Sequence, residues 1–578
     1  MNKLKRFQTL TRHLPTTPTP TPTRTTSFID QESTNDKITT ILKSMVYASS
    51  EIQSLSNTQL TNIYTAWNIY SQNDLPLTTP LKQTPFEYLS IKNDDASMFS
   101  NPRLSVTKLL VSGWCELREY YRCYAGSVRM EPSRSMRLGT ELHEKLEMEV
   151  HPVIEVDSLM KFIEDNWKQI KEGYDVDGFG EWEMETNNNG VAMDWSDSII
   201  DRLYALIMGS EAREVLLHGY LDMNVGKFVT AEWNLSRDSS VLVSGVVDLI
   251  KLSSLKYVKD DDLFAELNTY VEANSEVVDD VPLVDLQEFF LNAGNILSDF
   301  KYYQLSFSDI KTSTRSRVPL QDSVLRSAEF QTFYYRHLFE VLGKDPKFTY
   351  YSLLENATRR GYDIDKPLSV VTTFKILRKH YHLFYEDFIK LANGKPIGFQ
   401  PYDSESISEP YHFGHVFQTH EDFSLDNPKH DSFIESLREY DAIDYNKLLV
   451  PLLKTWKTPP TLRYLAARAA QFYHLLGNNI GDTTTVEYRN SITSDITETM
   501  TYTYDPDEFA EELYQATKFW NGQRDPIPTN DNSRCTYCDF KSKCSVSKIG
   551  VSGGEETKKL GPKIRQFLNE CKTSSKGS

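Results

Sequence analysis

Four of the six cysteines in this 578-residue chain constrain its fold more than any other feature. Three of them lie near the C-terminus in the pattern Cys535-x2-Cys538-x5-Cys544, and Cys115 lies more than four hundred residues upstream, in the sequence Gly-Trp-Cys-Glu. A tetrahedral thiolate centre needs four soft ligands, and the C-terminal group supplies only three. We therefore expect the fold to bring Cys115 back to the C-terminal cysteines.

The spacing of these cysteines favours an iron-sulfur cluster. Zinc is usually bound by two Cys-x2-Cys pairs, or by one such pair with two histidines, whereas an uneven three-plus-one arrangement fits a [4Fe-4S] cluster better. Zinc and unligated thiols remain alternatives on spacing alone. Cys123 follows two tyrosines and Cys571 lies in a polar tail, so neither has the spacing of a ligand. A cluster bound by the other four would join the N- and C-terminal parts of the fold.

The composition is that of a folded chain without a membrane span. Apolar residues make up 39% of the sequence and aromatic residues 12%, which are ordinary values for a globular protein. No apolar run approaches the roughly 18 residues that a spanning helix needs. We expect a monomer that does not bind membranes.

The net charge of −18 argues, taken alone, against a nucleic-acid partner, because affinity for phosphates comes from clustered Lys and Arg. The charge is unevenly distributed, however. Residues 252–300 carry eleven acidic and two basic side chains, so half of the net charge lies in one segment. Basic residues cluster elsewhere, at Arg129, Arg134 and Arg137 and again at Lys311, Arg315 and Arg317.

The first 29 residues contain five basic and no acidic side chains, and a Thr-Pro repeat runs from Thr17 to Thr23. A basic, hydroxyl-rich start without a continuous apolar core is typical of a mitochondrial presequence, followed here by a Thr/Pro-rich spacer. A disordered cytosolic tail is the alternative. We expect the mitochondrial matrix as location, and a helical region over residues 30–103, where Ile38, Ile41, Leu42 and Met45 have helical spacing.

Several short motifs follow in order along the chain. A helix is expected from Gly139 to about Glu149, and on it His143 and Glu147 share one face. Residues 241–250 read as a buried strand with one acid, Asp248, which needs a partner or a metal because burying an unpaired charge is costly.

A second strand, over residues 305–312, places Asp309 and Lys311 on one face, since side chains alternate along a strand. A helix follows, in which Gln331 and Tyr335 share a face at four-residue spacing. Each of these patterns is common by chance, and only their order makes them informative.

The order GxxxHxxLE, GxxD, DxK and QxxxY resembles the core of the PD-(D/E)XK nuclease superfamily. With the Cys-x2-Cys-x5-Cys frame and the distant Cys115, the chain resembles the iron-sulfur branch of that superfamily, and within it the exonuclease V family. The resemblance implies an α/β fold with a mixed sheet flanked by helices, an iron-sulfur cluster and helical elaborations. It covers roughly residues 100–345 and 460–548.

The resemblance also implies a mechanism. His143, Asp248, Asp309 and, less directly, Glu147 would bind Mg²⁺, or Mn²⁺, which the histidine also suits. Lys311 would act on the attacking water and on the charge of the transition state, while Gln331 and Tyr335 orient the lysine or the phosphate. The implied activity is 5′ to 3′ cleavage of single-stranded DNA into short oligonucleotides.

The same resemblance gives the basic residues a role in binding DNA. Arg315 and Arg317, just beyond the catalytic strand, would bind neighbouring phosphates, although exposed loop cations are the alternative. Arg129, Arg134 and Arg137 would attract the strand. Because a clamped fold would admit a single strand more easily than a duplex, we expect the strand to enter from a free end.

The predicted domain order follows from these motifs. The nuclease core is expected over 104–345, a helical elaboration over 346–460, a C-terminal helical part with the cluster cysteines over 461–548, and a polar tail over 549–578. One departure from the family pattern is the 61-residue separation of Asp248 and Asp309. We interpret the acidic segment 252–300 as an insertion at the tip of a hairpin, where a long loop costs little because the entropy of loop closure grows only logarithmically with length.

The sequence argues against two other classes of protein. A helicase motor would need a GxxxxGK[ST] loop, and the sequence has none. A catalytically inactive iron-sulfur DNA-binding protein would be expected to have lost Asp248, Asp309 or Lys311, and all three are present. A structure-specific endonuclease of the same superfamily remains a further alternative.

The cysteine spacing makes a prediction about iron content. Replacing Cys115, Cys535, Cys538 or Cys544 by Ser should lower the iron and acid-labile sulfide of anaerobically purified protein, because each removes one thiolate ligand. Cys123→Ser and Cys571→Ser are the matched controls and should leave both contents unchanged. A colourless protein that contains one equivalent of zinc would contradict the cluster assignment.

Overall fold

The computed structural model describes residues 83–92, 103–125, 134–154, 188–231, 240–255, 262–278, 281–314, 317–404, 458–529, 532–541, 544 and 547. The chain divides into two compact units. The smaller unit combines residues 1–89, 114–131 and 526–578, and the larger combines residues 90–113 and 132–525. No described helix has both the length and the hydropathy needed to cross a bilayer.

A seven-stranded mixed sheet forms the larger unit's centre. Its strands are β1 (Arg103–Ser105), β2 (Glu211–Asp222), β3 (Lys227–Phe228), β4 (Ser240–Ser254), β7 (Tyr303–Ser313), β8 (Ile480–Asn490) and β9 (Ile496–Thr503). Their order is β3-β2-β4-β7-β8-β9, and β1 pairs with β4. The β4-β7 pair is antiparallel and the β7-β8 pair is parallel. The mixed sheet expected from the motifs is therefore present.

The described residues of the two units also form helices. They are α1 (Pro85–Lys92), α2 (Val106–Leu109), α3 (Glu116–Ala125), α4 (Arg134–Val150), α5 (Asn189–Trp195), α6 (Arg202–Gly209), α7 (Leu263–Asn274), α8 (Leu286–Asp299), α9 (Asp322–Lys344), α10 (Pro346–Arg359), α11 (Val370–Ala392), α12 (Gln400–Ser404), α13 (Leu462–Leu476) and α14 (Pro506–Trp520). A π-helical turn, Ser196–Asp201, joins α5 to α6.

Two helices cover opposite faces of β7 because its side chains alternate. Leu142 and Leu146 of α4 pack against Leu249 and Ile310 on one face. On the other face, the ring of Phe307 lies 5.3 Å from that of Phe339 in α9. Phe307 and Lys311 thus face α9, and Ile310 faces α4.

The acidic segment lies between two strands that are neighbours in the sheet, as expected, since Leu249 of β4 pairs with Ser308 of β7. Within the segment, α7 and α8 flank a small hairpin of β5 (Glu276–Val278) and β6 (Val281–Leu283). Asp262 and Asp285 accept amide hydrogen bonds at the N-termini of α7 and α8. Some of its acidic residues therefore serve as helix caps.

The sheet extends beyond the range 104–345 predicted for the core. Residues 480–503, expected to be part of a helical region, form β8 and β9, because β8 pairs in parallel with β7 from Leu305 to Ser313. The expected helices of 346–460 are present up to Ser404. They are tied to α13 by a fully buried ion pair, in which Arg468 Nε lies 2.6 Å from Asp387 Oδ2.

Several predictions fall on residues outside the described part of the chain. These are the presequence and spacer at 1–29, most of the helical region 30–103, the last part of 346–460, the tail 549–578, Arg129 and Arg315.

Candidate metal centre and thiolate unit

Three side chains from three different elements converge at one edge of the β4-β7 pair. His143 of α4 has its Nδ1 atom 3.8 Å from Glu214 Oε1 of β2 and 4.0 Å from Asp248 Oδ1 of β4. One potential ligand atom from each lies within 4.8 Å of the other two. Within the described ranges this is the one such group of His, Cys, Asp or Glu residues. One imidazole and two carboxylates are a donor set that suits a divalent cation.

The backbone of Ile310 is held by two of these groups. Its N–H donates to Asp248 Oδ2 at 2.7 Å, and its carbonyl oxygen lies 3.2 Å from His143 Nε2. If Nε2 carries the proton and donates to this carbonyl, Nδ1 presents its lone pair toward the two acids. The hydrogen bond to Ile310 therefore orients His143 as a ligand.

The carboxylates are crowded enough to perturb each other's titration. Burial and the nearby Asp309 raise the pKa of Asp248 to about 7. Burial by itself would lower the pKa of His143, but Glu214 and Asp248 outweigh burial and raise it. The cluster is thus an acidic site that favours positive charge, which is the electrostatic condition for binding a cation.

A hydrogen-bonded chain begins beside this cluster. Lys311 Nζ lies 2.7 Å from Asp309 Oδ2 and donates to Gln331 Oε1 at 2.9 Å. Gln331 Nε2 in turn donates to the Tyr335 hydroxyl at 2.8 Å. Burial opposes the charge of Lys311, but Asp309 and Asp248 raise its pKa, so the lysine is a cation. The DxK and QxxxY motifs therefore form one contiguous unit on the α9 face of the sheet.

Glu147, which the sequence suggested as a ligand, is directed away from this cluster. Its Oε1 accepts a hydrogen bond from Arg202 Nη2 at 2.8 Å, within a buried ion pair. The ligand prediction for Glu147 is therefore corrected, because a shared helical face does not distinguish two neighbouring partners. Glu214 provides the second carboxylate beside His143 and Asp248 instead.

Glu214 was missed because nothing in its local sequence marks it. It lies in β2, which carries other charged residues as well, and it stands opposite Asp248, as the flanking pairs Arg213 with Leu249 and Val215 with Val247 show. It is also one of three non-glycine residues with positive φ among the described residues, at +54°. Such a conformation costs on the order of 1 kcal/mol or more and is concentrated at functional sites. Only the pairing of β2 with β4 shows which acid of β2 faces Asp248.

Two motif glycines allow close approach of the elements that carry the site. A Cβ atom on Gly139 would lie 2.5 Å from Thr312 Oγ1, and one on Gly245 would lie 2.8 Å from the Tyr335 ring. Gly139 thus lets α4 contact β7 one turn before His143. Gly245 lets Tyr335 lie against β4, three residues before Asp248.

The contact at Gly139 generates a double-mutant prediction. Gly139→Ala should lower the free energy of unfolding by about 1–3 kcal/mol, because an added methyl group overlaps the Thr312 hydroxyl. Thr312→Ala removes that oxygen, so Gly139→Ala should cost much less in its presence. Urea unfolding of the two single variants and the double variant measures the coupling. Additive losses would show that Thr312 is not what excludes a side chain at residue 139.

The smaller unit holds the four cysteines. Cys115, Cys538 and Cys544 all pack against one apolar cluster, which consists of Leu117, Tyr121 and Phe540. Burial raises the pKa of the Cys538 thiol, and the neighbouring Cys115 and Cys544 raise it further, which reflects their proximity. The backbone N–H of Thr529 donates to Cys115 Sγ at 3.4 Å.

Polar contacts join the two chain segments of this unit. The N–H of Ile527 donates to Glu116 Oε2 at 2.7 Å, and Arg118 Nη2 lies 3.0 Å from Asp539 Oδ2. Arg534 Nη1 donates to the carbonyl oxygen of Trp114 at 2.8 Å. The region around Cys115 is therefore attached to the C-terminal cysteine segment, as the cysteine spacing predicted.

Five arginines are expected to contact DNA, and the structure describes three of them. Arg134 and Arg137 are exposed in the first turn of α4, and Arg317 is exposed after β7. Arg129 and Arg315 lie outside the described residues. These three side chains are exposed to solvent, and their role in binding DNA stays a prediction.

Comparison with known proteins matches most of this chain to one family. The family model described as "Exonuclease V - a 5' deoxyribonuclease" matches residues 97–546. A protein of Candida tropicalis named "Exonuclease V, mitochondrial" is 53% identical over 547 residues, which cover 94% of this chain and 90% of that protein.

More distant fungal proteins carry the same name. A relative from Scheffersomyces stipitis is 40% identical, over 91% of this chain and 97% of its own length. One from Vanderwaltozyma polyspora is 32% identical, over 80% of this chain and 76% of its own length. The match to the family model and these near full-length similarities show that the chain belongs to the exonuclease V family.

Proposed function

We propose that this chain is a metal-dependent exonuclease that hydrolyses single-stranded DNA from the 5′ end into short oligonucleotides in the mitochondrial matrix. The names of the relatives support the location and the class of enzyme. We further propose that it acts as a monomer, contains a [4Fe-4S] cluster and serves the maintenance of mitochondrial DNA.

The observation that supports this function best is the position of the metal-compatible group next to a lysine. His143, Glu214 and Asp248 offer one nitrogen and two carboxylates within 4.8 Å, and Asp309 lies close enough to Asp248 to raise its pKa. These residues fit Mg²⁺ or Mn²⁺, because both take oxygen donors and Mn²⁺ also accepts imidazole. When bound, such an ion would polarise the scissile phosphate and lower the pKa of a water molecule.

The chain's own residues supply the remaining functions. The protonated Lys311 places a positive charge beside Asp309, where it can stabilise the charge that develops on the phosphate oxygens. Gln331 orients the ammonium group by accepting its hydrogen bond, and Tyr335 fixes Gln331 in turn. The raised pKa of Lys311 favours this electrostatic role over that of a general base.

The cysteines fit a structural cluster. Hydrolysis transfers no electrons, so a centre bound by Cys115, Cys535, Cys538 and Cys544 would stabilise the fold of the smaller unit. The amide donor to Cys115 Sγ is the kind of hydrogen bond that thiolate ligands of iron-sulfur clusters accept.

The role of Lys311 is tested by removing its charge. Lys311→Ala should lower the single-turnover rate of cleavage by about 10²–10⁴-fold, while DNA affinity changes little, because the lost charge acts mainly in the transition state. Lys251→Ala is the matched control, since Lys251 lies on β4 and contacts Glu487 at 3.7 Å. If Lys311→Ala cleaved at the wild-type rate, the lysine would have no catalytic role.

The requirement for a free end is tested with the topology of the substrate. Linear single-stranded DNA with a free 5′ end should be degraded in the presence of Mg²⁺, and circular single strands or strands with a bulky 5′ adduct should resist. Binding should weaken as salt rises, since phosphate contacts release counterions. Rapid cutting of circles would instead indicate an endonuclease of the same superfamily, and no cleavage of any DNA would indicate a binding protein.

A further inference from the structure

The C-terminal turn of α4 and the residue after it contact α6 and the part of β2 that precedes Glu214. Glu147, one turn after His143, pairs with Arg202 at 2.8 Å. His151, one turn further, lies just beyond the end of the helix. Its Nε2 accepts the backbone N–H of Arg213 at 3.1 Å. Arg213 is the residue immediately before Glu214.

The hydrogen bond from Arg213 lies one residue before Glu214, which is the strained residue of β2. Glu214 has a φ of +54°, which lies in the left-handed region that non-glycine residues rarely adopt. A conformation of this kind persists only where the surrounding structure over-determines it. The imidazole of His151 fixes the peptide group between Ala212 and Arg213, one peptide before the group that enters Glu214. It is thus placed to hold the carboxylate of Glu214 toward His143.

The neutral form of His151 is the one that can accept this hydrogen bond through Nε2. Burial and the nearby Arg202 lower the pKa of His151 to about 4, so the ring is neutral at physiological pH. Arg213 also lowers this pKa, whereas Asp201 and Glu147 act in the opposite direction. The ion pair between Glu147 and Arg202 anchors the same turn of α4, with both side chains buried.

We propose that His151 is a positioning residue, which sets the affinity of the His143, Glu214 and Asp248 group for a divalent cation by holding Glu214 in its left-handed conformation. The proposal rests on the metal-dependent function proposed above. His151 itself does not contact the cation. The motif GxxxHxxLE thereby extends by one turn, to a second histidine that acts through the backbone of β2.

The test is calorimetric titration of the full chain with Mn²⁺, which needs no DNA and no turnover. His151→Leu removes the acceptor at similar volume and should weaken Mn²⁺ binding by about 10- to 100-fold, the usual effect of losing a group that orients a ligand. His151→Gln keeps an acceptor oxygen within reach of the Arg213 amide, and should bind Mn²⁺ within about threefold of wild type. Met148→Ala, on the exposed side of α4, is the control and should bind as wild type does.

The outcomes separate this proposal from the one on which it rests. Mn²⁺ affinity of a folded His151→Leu variant equal to wild type, or an equal loss in the Leu and Gln variants, would overturn the positioning role. Thermal unfolding identifies the folded variants, and His151→Ala replaces the leucine variant if the latter does not fold. A wild-type protein that binds no Mn²⁺ and cleaves DNA in the presence of a chelator would instead overturn the proposed metal-dependent function.

Discussion

The crowding of carboxylates around β4 and β7 is the constraint on which the rest of the site depends. Asp248, Asp309 and Glu214 lie close enough that burial and mutual repulsion raise the pKa of Asp248. Apolar packing holds the strands together against this repulsion, through Leu142 and Leu146 of α4 on Leu249 and Ile310. The ammonium group of Lys311 offsets part of the charge. The apolar packing keeps the carboxylates together, and their remaining negative charge can attract a cation.

β7 contributes residues of the site toward both α4 and α9, because its side chains alternate between these two helices. Ile310 faces α4 and is held through its backbone by His143 and Asp248. Asp309 and Lys311 face α9, where Gln331 and Tyr335 continue the hydrogen-bonded chain. The candidate metal group and the fixed ammonium group lie close together, since Asp248 raises the pKa of Lys311. Small residues at 139 and 245 permit the helices to come this close.

The sequence predicted the motif residues well where the chemistry depends on local spacing. The alternation of Asp309 and Lys311 and the four-residue spacing of Gln331 and Tyr335 follow directly from strand and helix geometry. The sequence did not identify the second carboxylate of the candidate metal group. Glu147 and His143 share a helical face, but Glu147 meets Arg202, a residue 55 positions away. Such a partner cannot be identified from periodicity, because periodicity gives the direction of a side chain and not what lies there.

By itself, the sequence determined the spacing of Cys535, Cys538 and Cys544 and the residues that resemble a nuclease core, since each depends on spacing within one segment. Tertiary structure alone decided that β8 completes the sheet from beyond residue 480, that Glu214 lies opposite Asp248, and that His151 reaches the amide of Arg213. These contacts join segments tens to hundreds of residues apart. Their geometry is set by strand register and helix packing, and neither is encoded in any single stretch of the chain.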